Sequence, residues 1–307
     1  MYGVADRLLL LDTPSLYFRA YYGVPESVTS PDGTPVNAVR GLIDMIAWLV
    51  TERRPDRLVA AMDADWRPQF RVDLLPSYKA HRVTPNGIEE IPDTLFPQVP
   101  IMEAVLRAVG IPVVGVAGYE ADDVIGTLAT AYDGPCEVVT GDRDLFQLVR
   151  DPLVRVLYTQ QGLRNLLVVD ESVITSKYGI PGRAYADFAL LRGDPSDGLP
   201  GVPGIGDKTA AALITAFGSV DKLLVACEEP GTGPILTAAL RRRIEGARDY
   251  VAKARVVVDV AHDVPLPEMD TALPRTPADP DRLVELAERW GLDSSLNRLL
   301  GALAARG

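Results

Sequence analysis

Cysteine and histidine are scarce: two of each in 307 residues. Cys136 and Cys227 form no CxxC pair, which argues against a disulfide framework or a zinc site and fits a reducing cytoplasm. Both read as small core residues, one in an apolar run and one in a helix-like run. Long apolar stretches are also missing. Leu8-Leu9-Leu10-Leu11 is far too short for a signal peptide or a membrane span, and Asp12 follows it at once. The expectation is a cytoplasmic protein with no membrane partner. No Ser/His/Asp or Cys/His set suggests covalent catalysis.

Positive charge is short as well. Lys and Arg number 31 against 42 Asp and Glu, a formal net charge of −11. Phosphate binding usually relies on Lys and Arg, so this balance speaks against nucleic acid at first sight. Acids gathered in one pocket around divalent cations would reverse the local sign. The position of the acids therefore decides.

The length suits one large domain, or a large one with a smaller partner. Through the first two-thirds, β-type runs alternate with helix-type segments. Strands are expected at Arg7–Asp12, Arg57–Asp63, Ile111–Val116, Cys136–Thr140 and Val154–Tyr158, with helices at Val36–Glu52, Asp93–Val109 and Ala121–Tyr132. This alternation predicts an α/β fold with a mostly parallel central sheet flanked by helices. In such sheets ligands bind beyond the carboxyl ends of the strands. Residues 64–100 break the rhythm with prolines at 68, 76, 85, 92, 97 and 100 and with Arg67, Arg71, Lys79 and Arg82, as a functional lid would. After about Asp170 helices take over. Asp207–Phe217 and Val220–Cys227 follow a Gly/Pro-rich stretch, Glu228–Pro234 is a loop, and an Arg-rich helix runs from Ile235 to about Val258. Val264–Pro280 is a connector before a last amphipathic helix, Arg282–Ala304.

Acids stand out at the strand ends. Asp12 and Asp63 end two strands, and Asp142 with Asp144 follows a third. Glu120, Asp122 and Asp123 open a helix, and Asp194 with Asp197 opens the Gly/Pro-rich stretch. Each has a plain alternative: acids favour the first turn of a helix, and Asp suits a turn beside proline. Caps, however, do not need to recur at successive strand ends. Carboxylates are natural ligands for Mg²⁺ or Mn²⁺, and a buried cluster of them requires cations, protons or basic neighbours. Two ions roughly 4 Å apart can generate an attacking hydroxide and stabilise the oxygen that departs.

In order along the chain come Leu11-Asp12 with Tyr17-Phe18-Arg19-Ala20-Tyr21, Tyr78-Lys79-Ala80-His81-Arg82, Tyr119-Glu120-Ala121-Asp122-Asp123 and Thr140-Gly141-Asp142-Arg143-Asp144. Gly193-Asp194-Pro195-Ser196-Asp197 follows, then Leu199 through Ala210 with Gly201, Gly204, Gly206, Lys208 and Thr209. Over roughly the first 260 residues, these ordered motifs resemble the 5′ nuclease domain of bacterial DNA polymerase I and its stand-alone relatives, the flap endonucleases. With no room for a polymerase region, a free-standing member is expected.

That resemblance implies a PIN-like catalytic core over 1–170 with a helical arch at about 64–100. It implies a helical DNA-binding region over 171–307 with a helix–three-turn–helix motif at about 185–227. Two or more Mg²⁺ or Mn²⁺ ions are implied, Asp12, Asp63, Glu120, Asp122 and Asp123 serving the first and Asp142, Asp144, Asp194 and Asp197 the second. Lys79 and Arg82, joined by Arg19, would neutralise the scissile phosphate; a solvated helix face is the plainer reading of these bases. Tyr78, Gly201, Gly204, Gly206, Lys208 and Thr209 would contact DNA, and the carbonyls of Val202 and Ile205 would hold K⁺. Arg241, Arg242 and Arg243 extend the duplex track or form a solvated face. The implied activity is hydrolysis of 5′-flap, nicked, gapped or 5′-ended DNA by a monomer, in replication and repair. A ribonuclease on a related acidic fold and a non-catalytic junction binder are the rivals. Two departures from the family pattern stand out: Gly198 where Asn is usual, and Thr13-Pro14 where glycine is usual.

Overall fold

Along the strand Leu8–Asp12 (β1), every residue is buried, and neighbours face opposite ways. Leu8 and Leu10 enter one apolar core while Leu9 and Leu11 enter another, the period-two signature of a strand covered on both faces. The structure, a computed structural model, describes residues 6–87, 89–229 and 234–305. The expected loop Glu228–Pro234 therefore lies partly outside the described residues.

The sheet has six strands: β1, β2 (Arg57–Ala61), β3 (Val113–Val114), β4 (Cys136–Thr140), β5 (Val154–Tyr158) and β6 (Leu167–Val169). Their order is β3-β2-β1-β4-β5-β6, parallel throughout except for β6, which runs antiparallel at the edge. The expected parallel sheet is present. β3 is shorter than the expected Ile111–Val116, and β6 had no counterpart in the sequence reading.

One face carries α1 (Thr13–Gly23), α2 (Asn37–Arg53) and α4 (Gln98–Val109), whose apolar residues share a core with Leu9 and Leu11. The other carries α5 (Ala121–Ala131), which joins a core with α7 (Tyr185–Arg192), α8 (Asp207–Phe217), α9 (Val220–Glu228), α10 (Ala238–Gly246) and α11 (Arg248–Val258). α6 (Glu171–Tyr178) leads into this helical half. The last helices, α12 (Pro280–Trp290) and α13 (Asp293–Ala304), return to the first face, where Leu296, Leu299 and Leu303 bury with the apolar side of α2. The expected 171–307 helical region is thus split between the two faces.

Two helices expected as continuous are broken. The run 235–258 divides at Ala247, and the run 282–304 at Gly291, whose φ of +63 closes α12 in the left-handed region. The connector is also not free chain: Leu58 N–H donates to Thr271 O and Leu273 N–H to Asp56 O, both at 2.9 Å, which extends the start of β2. Among the described residues no single helix is long and apolar enough to cross a membrane.

The segment 64–100 crosses the carboxyl edge of the sheet. Its helical content is the short α3 (Gln69–Leu74), a 3-10 turn at Ala80–Arg82 and the start of α4. Prolines at 68, 76, 85 and 92 keep the rest extended or turned.

Candidate active site

Three parallel strands deliver acids to one edge because each ends in, or just before, an aspartate. Asp12 is the last residue of β1, Asp63 follows β2 by two residues, and Asp142 follows β4 by two. With Glu120 and Asp122 at the start of α5, they line one cleft of about 220 Å³, together with Lys79 and Arg82 from the overlying segment. Backbone and hydroxyl donors fix the acids. Thr140 Oγ1 donates to Asp12 Oδ2 at 2.6 Å and accepts from Asp142 N–H at 2.8 Å, so one hydroxyl spans two strand ends. Asp12 also accepts from Ser15 N–H at 3.2 Å and so caps α1; Pro14 in that first turn needs no donor. The Thr13-Pro14 departure is accommodated at that cap. Asp63 accepts the first N–H of α5, from Ala121, at 2.7 Å.

A second acid group adjoins the first. Asp144 N–H donates to Asp142 Oδ1 at 2.9 Å. Asp194 caps a 3-10 turn by accepting from Ser196 N–H at 2.9 Å and meets Arg192 at 3.2 Å, and Asp197 meets Arg82 at 3.0 Å. The cover segment is docked on this turn: Lys79 N–H donates to Asp197 O at 2.9 Å and Arg82 to Ser196 O at 2.9 Å. Gly198 is required here. Its φ is +73, and a Cβ would lie 2.1 Å from Ser77 O. Asn at this position is incompatible with the observed docking.

The crowding is visible in the titration of the acids. Burial, then repulsion from Asp63, pushes Asp12 up to about 7 against the bond from Thr140. Asp63 is pushed up to about 6 by burial and by Glu120. Asp197 reaches about 6 through burial despite Lys79. Burial and neighbouring aspartates hold Asp122 and Asp144 well above the ordinary carboxylate range, the repulsion on Asp144 coming from Asp142, Asp197 and Asp194. The two groups are one electrostatic unit. The cover segment supplies the balancing charge: Lys79 pairs with Glu120 and Arg82 with Asp197. Among the described residues, no three His, Cys, Asp or Glu side chains close into a finished metal cage. The donors facing the cleft are carboxylate and hydroxyl oxygens, with no thiolate or imidazole, a set that fits hard divalent cations.

Some expected site residues lie elsewhere. Asp123 is fully buried in a bidentate pair with Arg71, at 2.7 and 2.6 Å, and accepts from Ala261 N–H at 2.8 Å and Glu120 N–H at 3.1 Å. Burial would raise it, but Arg71 prevails and its carboxyl stays below the usual range. Its oxygens are committed to the scaffold, which corrects the expectation of a cation ligand at this position. Tyr78 is 4% exposed, its hydroxyl donating to Glu120 at 2.7 Å; it orients an acid and offers no surface to a nucleic acid. Arg19 donates to Thr159 Oγ1 at 3.1 Å and lines a neighbouring cavity, which shares Ser15, Phe18 and Gly141 with the acid cleft.

Three residues escaped the sequence reading. In the sequence Arg71 is only one cation among several of the cover segment. Glu89 enters the cleft beside Asp63 and is pushed up to about 7 by burial and that neighbour, and Trp66 forms part of the wall. No local pattern marks Glu89; its position depends on the return of the segment through the Val83–Glu89 bridge.

The Gly201–Gly206 turn precedes α8 as expected. Val202 and Ile205 point inward, Val202 O accepting from Ile205 N–H at 3.0 Å. Lys208 is exposed, Thr209 is half-buried, and Gly206 stands before the first turn without a side-chain cap. At Gly204 φ is +75 and a Cβ would lie 2.7 Å from Arg243 Nη1, so the guanidinium rests on the turn itself.

A resolvase-like α/β core with an acid-lined strand edge and a helical half is the class this architecture defines. Residues 7–179 match the family model described as 5′-3′ exonuclease, N-terminal resolvase-like domain, and residues 180–281 match 5′-3′ exonuclease, C-terminal SAM fold. The chain belongs to the 5′-3′ exonuclease family. It is 60% identical over 303 residues to a 5′-3′ exonuclease of Streptomyces coelicolor, covering 97% of this chain and 100% of that protein. Against DNA polymerase I of Mycobacterium bovis it is 39% identical over 306 residues, covering 98% of this chain and 32% of that protein. T5 5′-exonuclease, solved with bound divalent metal ions (zinc), shares the fold at a TM-score of 0.63 with 16% identity, over 97% of this chain and 98% of that one.

Proposed function

We propose that this 5′-3′ exonuclease is a structure-specific nuclease that hydrolyses DNA phosphodiesters near single-strand/duplex junctions, acting on 5′ flaps and 5′ ends with divalent cations. The supporting observation is the convergence of Asp12, Asp63, Glu120, Asp122 and Asp142 on one cleft, with Asp144, Asp194 and Asp197 electrostatically joined to it. Asp12, Asp63, Glu120 and Asp122 would hold one Mg²⁺ or Mn²⁺ ion, and Asp142, Asp144, Asp194 and Asp197 a second. Such ions, when bound, supply Lewis acidity and lower the pKa of water. Zinc in the T5 enzyme supports divalent cations as a class.

The chain's own residues orient the substrate. Lys79 and Arg82 balance Glu120 and Asp197 at rest. With the acids otherwise neutralised, both cations turn to the scissile phosphate and stabilise charge as it builds there. Arg19, one cavity away, contacts the adjoining nucleotide. Thr140 keeps Asp12 and Asp142 in register. The exposed start of α8 and Lys208 take a duplex phosphate, Arg243 adding charge over Gly204, and the Val202 and Ile205 carbonyls offer a K⁺ position. The catalytic core is residues 1–170, completed by Asp194 and Asp197 from the helical half, which also binds the duplex, in a cytoplasmic monomer serving replication and repair.

The test is cleavage of labelled 5′-flap, nicked and gapped duplexes, with matched RNA flaps, in Mn²⁺ or EDTA. Asp142→Asn and Asp12→Asn should abolish cleavage and leave binding largely intact. Full activity in EDTA, or in either variant, would refute the site. In single-turnover kinetics Lys79→Ala should slow the chemical step more than it weakens binding.

A further inference from the structure

At the edge of the sheet opposite the acids lies a cavity of about 460 Å³ that the nuclease site does not use. Arg150, in the turn before β5, and Arg183, in the turn before α7, both line it. His262, from the segment after α11, faces the same space. Neither arginine has an ion-pair or hydrogen-bond partner for its guanidinium among the described residues. Two acids also border the cavity, each with a partner of its own. Asp151 pairs with Arg155 at 3.7 Å, and Glu171 accepts from Gly182 N–H at 2.8 Å. His262 Nδ1 is tied to the Thr130 hydroxyl at 2.8 Å, which leaves Nε2 for another partner. The rest of the wall includes the aliphatic Ala129, Leu148 and Val154.

We propose that this cavity is a binding site for a nucleoside 5′-monophosphate. Two guanidiniums without partners are fork-shaped donors that suit a phosphate dianion, and His262 Nε2 is a third donor when the Thr130 hydroxyl donates to Nδ1. The volume falls within the roughly 300–1,000 Å³ of small-molecule sites and far exceeds what a bare phosphate fills. The aliphatic wall suits the apolar face of a base or sugar. The choice of a nucleotide among phosphate esters rests on the proposed nuclease reaction, which at a 5′-phosphorylated end would release nucleoside 5′-monophosphates by cutting the P–O3′ bond; the anion site itself does not. Such a site would let product accumulate on the enzyme away from the cleft. Its position gives it a route to the acids, because the 3-10 turn Asp144–Leu148 places Asp144 at the acid cluster and Leu148 in the cavity wall.

The experiment is calorimetric titration of the full chain in EDTA with deoxyadenosine 5′-monophosphate, deoxyadenosine and inorganic phosphate. Saturable binding of the monophosphate is expected, at least about tenfold tighter than either other ligand. The double variant Arg150→Ala/Arg183→Ala should lose that binding while its rate of 5′-flap cleavage stays at the parent level; both arginines are exposed, so the fold is retained. No saturable binding, equal binding by the double variant, or equal binding of the bare nucleoside overturns the site. Equal binding of inorganic phosphate overturns the nucleotide assignment. Absence of flap cleavage beside intact, arginine-dependent binding would refute the nuclease reading and support this one.

Discussion

Arg71 makes five hydrogen bonds: to Glu120, twice to Asp123, and to the carbonyls of Val257 and Asp259. It is 3% exposed, and its two acid partners are equally enclosed. Removing the guanidinium leaves Asp123 in the interior with backbone donors alone, while Glu120 keeps Lys79 and Tyr78, and breaking such a buried network costs about 3–5 kcal/mol. Arg71→Met should therefore lower the free energy of unfolding from urea titration by that amount; a variant as stable as the parent would show that the network is dispensable. Because the same residue ties α3 to the start of α5 and the end of α11, its loss should also disturb Glu120. Cys136 offers a second measurement at this scale. Burial pushes its thiol up to about 12, so below that pH the neutral form prevails and the nucleophilic thiolate is rare. Iodoacetamide at pH 8 should leave Cys136 unmodified in the folded chain and label it once urea unfolds the protein. Rapid native labelling would contradict this.

Elements differ in how openly the sequence announces them. The strand-end aspartates could be read directly, because an acid after a β-type run falls on the carboxyl edge wherever the sheet is parallel. Gly291 also carried its message, a glycine before Asp293 in an otherwise continuous helical pattern, but apolar periodicity on both sides masked it. The break at Ala247 lies beside Gly246 for the same reason. β6 was hidden because its pairing is antiparallel and its three residues are too few to show alternation. Glu89 and the Arg71–Asp123 pair were out of reach, since both arise from how a proline-rich segment folds over the edge. The docking of that segment on the 195–198 turn yields a prediction at the same scale. Gly198→Ala places a methyl against Ser77 O in a left-handed conformation, a cost of about 1–3 kcal/mol. The turn should separate from Lys79, so cleavage in single-turnover assays should fall together with the melting temperature. A variant with parental stability and rate would show that the contact is not needed.

For the molecule as a whole, clustered negative charge is held in place by the surrounding fold. Native cation binding stabilises by mass action, since the unfolded chain offers no such cluster. Mn²⁺ at roughly 100 times its dissociation constant should add about 2.7 kcal/mol, seen as a higher melting temperature that EDTA reverses. Asp142→Asn should reduce that gain. A parent protein whose melting ignores Mn²⁺ would count against the cluster as a cation site.

The chain's return to its first layer bears on how it comes apart. The sheet is a party wall: α12 and α13 lean on one side through α2, the helical half leans on the other through α5, and residues 271–273 are stitched to the start of β2. Neither side can be dismantled without exposing the wall to water. Trp66, over the acids, and Trp290, at the end of α12, should therefore report the same midpoint in denaturant, as one sigmoid rather than two.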